Sequence, residues 1–270
     1  MCRVLGCVAT EPVTIRHELL EAENPFIRQS EQHDSGWGMA VYGRAEGQQP
    51  RCVRFPQAAH ADGDFIEATE MEGRIFNAHV RRATIGGLSM ENTHPFCLGN
   101  YSFSHNGTVL LARRLLGPGD VQPAGETDSE CLFAFLMRDF DPGDPIGSLR
   151  HLVTSAVERS PFSALNFLFC DGERLYAYRL GIFELHWLHR GSELLVASER
   201  ITAEPWHTVA QDVLLVADPG DIEEPHAERL VGDELVARAE IREFSEGAEL
   251  RGIERGQFAA ARAERLASRE

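Results

Sequence analysis

Between Leu165 and Ser198 the chain turns back on itself twice, and no other stretch constrains the fold as much. Leu165 to Cys170 and Arg174 to Leu180 are strand-like runs separated by Asp171-Gly172, a dipeptide that tolerates the positive φ of a tight hairpin turn. Phe183 to Leu188 and Glu193 to Ser198 repeat the arrangement around Arg190-Gly191. Hairpins pair their strands antiparallel, whereas parallel strands need long crossovers. Upstream, Cys2 to Thr10 suits a buried strand, and Gly36 to Gly43 is a strand bracketed by glycines. In Phe76 to Thr84, Phe76, Ala78 and Val80 alternate with Asn77, His79 and Arg81, so the three polar residues share one face. Tyr101 to Leu111 is strand-like on both sides of His105-Asn106-Gly107.

Helical signals lie around these strands. Ile15, Leu19 and Leu20 fall at helical spacing. Thr127-Asp128-Ser129-Glu130 has capping-box spacing and predicts a helix whose apolar face is Leu132, Phe135, Leu136 and Phe140. The last fifty residues are charged and helix-prone, with Leu230, Leu235 and Val236 marking an apolar stripe. Strands in the middle with helices before, between and after them read as an α+β layered domain. One domain is expected over 1–270, with a core of about 2–220 and a charged helical extension over 221–270.

Charge and composition narrow the function. Lys and Arg total 26 against 42 Asp and Glu, a net charge of −16, which repels phosphate backbones and argues against nucleic acid. No apolar run approaches the ~20 residues of a spanning helix, so no membrane partner is expected. Met1 to Cys7 is too short a leader for a signal peptide, and a cytoplasmic location is expected. The cysteines at 2, 7, 52, 97, 131 and 170 form no C-x-x-C pair, so they read as free thiols rather than zinc ligands. His186 and His189 are spaced i, i+3, which puts them on opposite faces of a strand. No metal and no organic cofactor is expected, and without a G-x-x-x-x-G-K loop neither is ATP-driven chemistry.

Cys2 is the most informative single residue. Removal of Met1 would leave one residue carrying both a thiol, with a pKa near ~8.5, and an α-amine near ~7.7–8.0. The amine can then serve as base for its own side chain.

Five segments occur in the order found in class II glutamine amidotransferases, members of the N-terminal nucleophile hydrolases. They are Met1-Cys2-Arg3, Asp34-Ser-Gly-Trp-Gly38, His79-Val-Arg-Arg-Ala-Thr84, Asn92-Thr-His-Pro-Phe96 with His105-Asn-Gly107, and Gly125-Glu-Thr-Asp-Ser-Glu130. Ala197-Ser-Glu-Arg200 with Pro205-Trp206 resembles the stand-alone branch, which includes the γ-glutamyl hydrolase of ergothioneine synthesis and amidotransferase-like components of glutathione breakdown. The likeness implies a four-layer αββα sandwich of two stacked, mostly antiparallel sheets flanked by helices.

It also implies a site. Cys2 would attack the γ-amide of glutamine or a γ-glutamyl compound, giving a thioester and then glutamate plus ammonia or an amine. Asn106 and Gly107 resemble the oxyanion hole, although on its own Asn-Gly reads as a tight turn between strands. Arg81 matches the carboxylate-binding arginine, where a guanidinium can bind two oxygens. Asp128 matches the ammonium-binding aspartate, although a first-turn acid also suits the helix dipole. Thr84 and His94 match positions lining the glutamine pocket. Trp37 reads as a packing residue, and His79 and His105 as hydrogen-bonded structural histidines. Arg82 stands where several synthase-type relatives have an aromatic residue, which implies a different, acid-favouring leaving-group side. The partner is then a small γ-glutamyl molecule. A synthase subunit fed with ammonia, or a homodimer, is compatible with the chain, and a non-catalytic member binding a γ-glutamyl metabolite is the alternative.

Overall fold

The computed structural model describes residues 2–44 and 47–244. In chain order the strands are β1 (Arg3–Val13), β2 (Trp37–Tyr42), β3 (Arg51–Phe55), β4 (Gly73–Val80), β5 (Phe96–Leu98), β6 (Tyr101–Asn106) and β7 (Asn166–Cys170). They continue with β8 (Leu175–Arg179), β9 (His186–Arg190), β10 (Glu193–Ala197), β11 (His207–Thr208), β12 (Val213–Asp218) and β13 (Asp221–Arg229). The helices are α1 (Phe26–Gln29), α2 (Gly63–Ala68), α3 (Asp128–Arg138), α4 (Pro145–Arg159) and α5 (Asp233–Val236). Among the described residues these strands build one sheet in the order β11-β9-β10-β1-β4-β2-β3 and another in the order β13-β12-β8-β7-β6-β5. Every neighbouring pair is antiparallel. Both hairpins read from the sequence are present, and Gly172 and Gly191 take φ of 96° and 60° in their turns, a region where a side chain is strained.

Strand parity produces the layers. In β1, Leu5 and Cys7 join Ile15, Leu19, Phe26 and Phe65 in a core under the N-terminal helical segments. Val4 and Val8, one step out of phase, pack between the sheets against Leu168, Leu175, Ala177 and Leu215. Phe103, Phe167 and Phe169 face the other way, onto Leu132, Phe135, Leu149 and Leu152 of α3 and α4. Three apolar cores thus separate four layers, αββα, as the resemblance implies. Gly6 sets the closest approach of the sheets at its position: a Cβ there would lie 2.7 Å from the Leu175 side chain. Among the described residues no helix is long and apolar enough to cross a membrane.

Three local expectations need correction. Ile15 to Leu20 does not start an α-helix; the chain makes a single π-helical turn over His17–Glu21. Residues 221–229, read as the start of a charged helix, form β13, whose charges project from a sheet edge while Ile222 is buried between the sheets. An edge strand tolerates such charge, which also discourages pairing with other chains. The stripe of Leu230, Leu235 and Val236 does pack on the α3–α4 core, but α5 is one short turn, and 245–270 lie outside the described residues. Finally, Cys52 and Cys97 are not free thiols. A disulfide joins them, and it links β3 and β5, the edge strands of the two different sheets.

Candidate active site

The alternation that buries Val4 and Val8 between the sheets, carried one step outward, sends Cys2 to the same interior face. Val4 pairs with His79 and Arg3 with Val80, so the start of β1 lies beside the end of β4, where Arg81 follows. The polar face of β4 looks across the gap at β6: Asn77 Nδ2 donates to Ser102 Oγ at 3.2 Å. By the same parity Ser104 and Asn106 face inward. His105 instead turns out toward α3, its Nδ1 2.9 Å from Ser129 Oγ and its Nε2 3.1 Å from the Ala164 carbonyl. Cys2, Arg81 and Asn106 therefore sit on one interior face at one end of their strands.

Burial raises the pKa of the partly buried Cys2 thiol, outweighing the N-terminal charge, the Arg82 contact and Arg81, which all lower it, while Asp128 adds a small upward push. The group is a thiol at neutral pH. Its hydrogen bond runs from Sγ to the Arg82 carbonyl at 3.6 Å, and among the described residues no histidine or carboxylate bonds to it.

Asp128 opens α3, where Thr127 Oγ1 caps the helix by accepting from the Glu130 N–H at 3.1 Å. The other half of the capping box is diverted, because the Glu130 carboxylate accepts from the Ala124 and Gly125 N–H groups at 2.8 and 2.7 Å. Asp128 Oδ2 accepts from the Val109 N–H at 2.7 Å, and burial raises its pKa. Arg81 is 2% exposed. Its guanidinium donates to the carbonyls of Ile85, Gly87 and Gly86 at 2.8, 2.9 and 3.2 Å, so it ties down the loop that follows β4.

The other expected residues divide. Thr84 Oγ1 lies 3.3 Å from Thr108 Oγ1, next to Gly107. Gly107 has no room for a side chain, since a Cβ would lie 2.0 Å from the Ala164 carbonyl oxygen. The Asn106-Gly107 pair does not close a hairpin; the chain runs on, and Val109 bridges Phe162. His94 is buried in the packed interior, its ring stacked on His79 at 4.1 Å and tilted on Phe96 at 4.5 Å, and burial holds its pKa well below the usual histidine range. Neither His94 ring nitrogen has a hydrogen-bond partner. Trp37 packs between Phe55 and Phe65 and donates to Asp62 Oδ2 at 2.7 Å.

Asn106 lines a cavity of about 470 Å³ together with Arg3, Asn24, Glu184, Glu199 and Arg200. Ser198 extends the β1–β10 pairing, its N–H donating to the Val4 carbonyl at 3.1 Å, which brings 198–200 beside Cys2. Asn166, opposite Asn106 in the sheet, fixes the far wall by donating to the Phe183 and Glu184 carbonyls at 3.1 and 3.3 Å. Ala197-Ser-Glu-Arg200 was visible as a motif, but only strand pairing shows what it adjoins. Arg82 is not among the residues lining this cavity.

Two facing antiparallel sheets between helical layers, with the chain's second residue at the open end of a central strand, define the N-terminal nucleophile hydrolase fold. Glutamine phosphoribosylpyrophosphate amidotransferase of B. subtilis shares it with a TM-score of 0.65 at 19% identity, over 86% of this chain and 50% of that one. A glutamine aminotransferase class-II domain protein of Silicibacter pomeroyi does so with a TM-score of 0.63 at 20% identity, over 86% and 100%. The chain belongs to the class II glutamine amidotransferases, whose family model matches residues 1–192. It is 33% identical over 201 residues to an uncharacterized protein of Methanocaldococcus jannaschii, covering 70% of this chain and 54% of that protein. It is 28% identical over 213 residues to YafJ of Escherichia coli, which carries a provisional glutamine amidotransferase name, covering 73% and 80%. The match thus spans about half the length of the first relative and most of the second.

Proposed function

We propose that the chain is a Cys2-dependent amidohydrolase of glutamine or γ-glutamyl amides. Once Met1 is removed, the free α-amine takes the thiol proton and the sulfur adds to the γ-carbonyl carbon. A thiol needs a base before it can attack, and among the described residues no histidine or carboxylate bonds to Cys2 Sγ, which leaves that task to the α-amine. Asn106 and the Gly107 N–H receive the oxyanion, a role in which one donor can be worth ~3–4 kcal/mol in the transition state. The C–N bond then breaks, the departing amine takes up the proton held by the α-amine, and water cleaves the thioester to glutamate and the free thiol.

Asp128 pairs with the substrate ammonium and Arg81 with its carboxylate. Because Arg81 already donates to the carbonyls of 85–87, the carboxylate displaces some of them, and binding moves that loop. The observation that carries this reading is the strand parity that brings Cys2, Arg81 and Asn106 to one face, within the field of Asp128. The test is intact mass followed by incubation with a diazo-ketone analogue of glutamine. Loss of Met1 and one covalent adduct on Cys2 are expected; retained Met1 or an unmodified Cys2 would falsify the proposal.

A further inference from the structure

We propose that Glu199 is a positioning residue for the nucleophile: acting through Arg3, it holds the peptide unit from which the Cys2 sulfur and α-amine both hang. This rests on the amidohydrolase reading above. Cys2 stands just outside the sheet, because the pairing of β1 begins at Arg3 with β4 and at Leu5 with β10. Once Met1 is removed no residue precedes Cys2, and an untethered chain end frays. A nucleophile misplaced by about 1 Å loses rate steeply. Something other than the ladder has to fix it.

Two contacts do so. Cys2 Sγ donates to the Arg82 carbonyl at 3.6 Å, and the Cys2 carbonyl accepts from Arg3 Nη1 at 3.2 Å. The second contact fixes the plane of the Cys2–Arg3 peptide, on which the sulfur and the amine turn. A side chain that bonds its own neighbour's carbonyl is only as firm as its other end. That end is Glu199, whose carboxylate is ion-paired with Arg3 Nη2. Among the described residues no other carboxylate lies within ion-pair distance of Arg3. The Arg3 side chain is 13% exposed, and its Nε is buried with no hydrogen-bond partner, so the guanidinium depends on these two acceptors.

Glu199 is itself fixed from both sides. Before it, Ser198 prolongs the β1–β10 ladder beyond Ala197: its N–H donates to the Val4 carbonyl and its Oγ accepts from the Val4 N–H, both at 3.1 Å. After it, the Arg200 carbonyl accepts from Asn24 Nδ2 at 3.1 Å, and the Ile201 carbonyl from the Asn24 N–H at 2.9 Å. A carboxylate between two pinned neighbours is a fixed point, and a rigid guanidinium fork carries that point to the carbonyl at its other prong. The ladder needs no further staple here, since Ser198 already satisfies both backbone groups of Val4. What the Arg3–Glu199 pair adds is a hold on the residue beyond the ladder.

The experiment measures kcat and KM for glutamine, Tm, and the rates at which Cys2 reacts with the diazo-ketone and with iodoacetamide. Glu199→Ala is expected to lower kcat about tenfold or more, the scale of one charge-assisted hydrogen bond, and to leave KM within about twofold of the parent. Glu199→Gln keeps an oxygen for Arg3 and is expected to lose less. The diazo-ketone, which needs an aimed sulfur, should label the variants slowly, whereas iodoacetamide, which needs only an accessible one, should not be slowed. The double variant Arg3→Ala with Glu199→Ala is expected to be no slower than Arg3→Ala alone, because the pair acts as a unit. An unchanged kcat, a raised KM in place of a lowered kcat, losses that multiply in the double variant, or a loss that only follows the folded fraction would overturn the assignment. Labelling of the parent separates the two levels: an adduct with kcat unmoved by Glu199→Ala sinks the positioning role alone, and no adduct sinks the amidohydrolase reading with it.

Discussion

Asp128 shows how a single side chain can be stable in one respect and costly in another. Its carboxylate keeps a bond to the Val109 N–H, yet burial raises its pKa above the ordinary value. A group whose folded pKa exceeds its unfolded one contributes stability at low pH and loses it as pH rises through the folded value. At neutral pH the buried charge is therefore a net burden on the fold. Asp128→Asn keeps an oxygen for Val109 and removes the charge, so its Tm at pH 7 is expected to exceed that of the parent. The difference should shrink as the pH falls through the raised folded value and vanish below the unfolded value of about 4. If Asp128 holds the substrate ammonium, the same variant has KM for glutamine raised about 10–100-fold. Thermal melts at both pH values with steady-state kinetics check this, and a lower Tm at pH 7 would show that the Val109 contact requires the charge. That Asp128 opens a helix is legible in Thr127-x-x-Glu130; that its charge sits within the field of Cys2 is not, because the two residues are remote in sequence.

At the level of elements, the loop after β4 has few anchors besides Arg81, whose guanidinium holds three of its carbonyls. Asn92 adds one more, Nδ2 donating to the Gly87 carbonyl at 3.0 Å, while its Oδ1 accepts from the Glu126 N–H at 2.7 Å. A ligand that competes for Arg81 should release part of this set. Backbone hydrogen exchange over 85–92 is expected to change when a glutamine analogue is bound, and to become fast and ligand-insensitive in Arg81→Ala. Exchange that is identical with and without ligand would separate Arg81 from the carboxylate. Element types were largely readable here: both hairpins follow from Asp171-Gly172 and Gly191, and α3 from its cap. β13 was misread because a run rich in Asp and Glu carries no alternation that distinguishes an edge strand from an exposed helix.

For the whole molecule, the layering makes a statement about thiols. Cys7, Cys131 and Cys170 lie inside the three apolar cores, and burial raises the pKa of each, that of Cys131 to about 12. Cys2 is the one free thiol among the described residues that is not fully buried. Alkylation of the folded, unreduced protein at neutral pH is thus expected to modify Cys2 alone. Unfolding without reductant should expose four thiols, and adding reductant should bring the total to six, the last two from the Cys52–Cys97 disulfide. Six thiols without reductant would mean that the two sheet edges are not cross-linked.

What the chain determined by itself is whatever depends on near neighbours. Turn residues, a helix cap and the two-residue period of strands yielded an antiparallel α+β domain, and ordered motifs named its family and the residues Cys2, Arg81, Asn106, Gly107 and Asp128. The tertiary structure decided which of these share a face, because antiparallel pairing lays β10 along β1 and parity turns Cys2, Arg81 and Asn106 inward. It also withdrew His94 into the packed interior, joined Cys52 to Cys97, and opened the cavity walled by Arg3, Glu184, Glu199 and Arg200. Such contacts join residues nearly two hundred positions apart, and no local pattern records them.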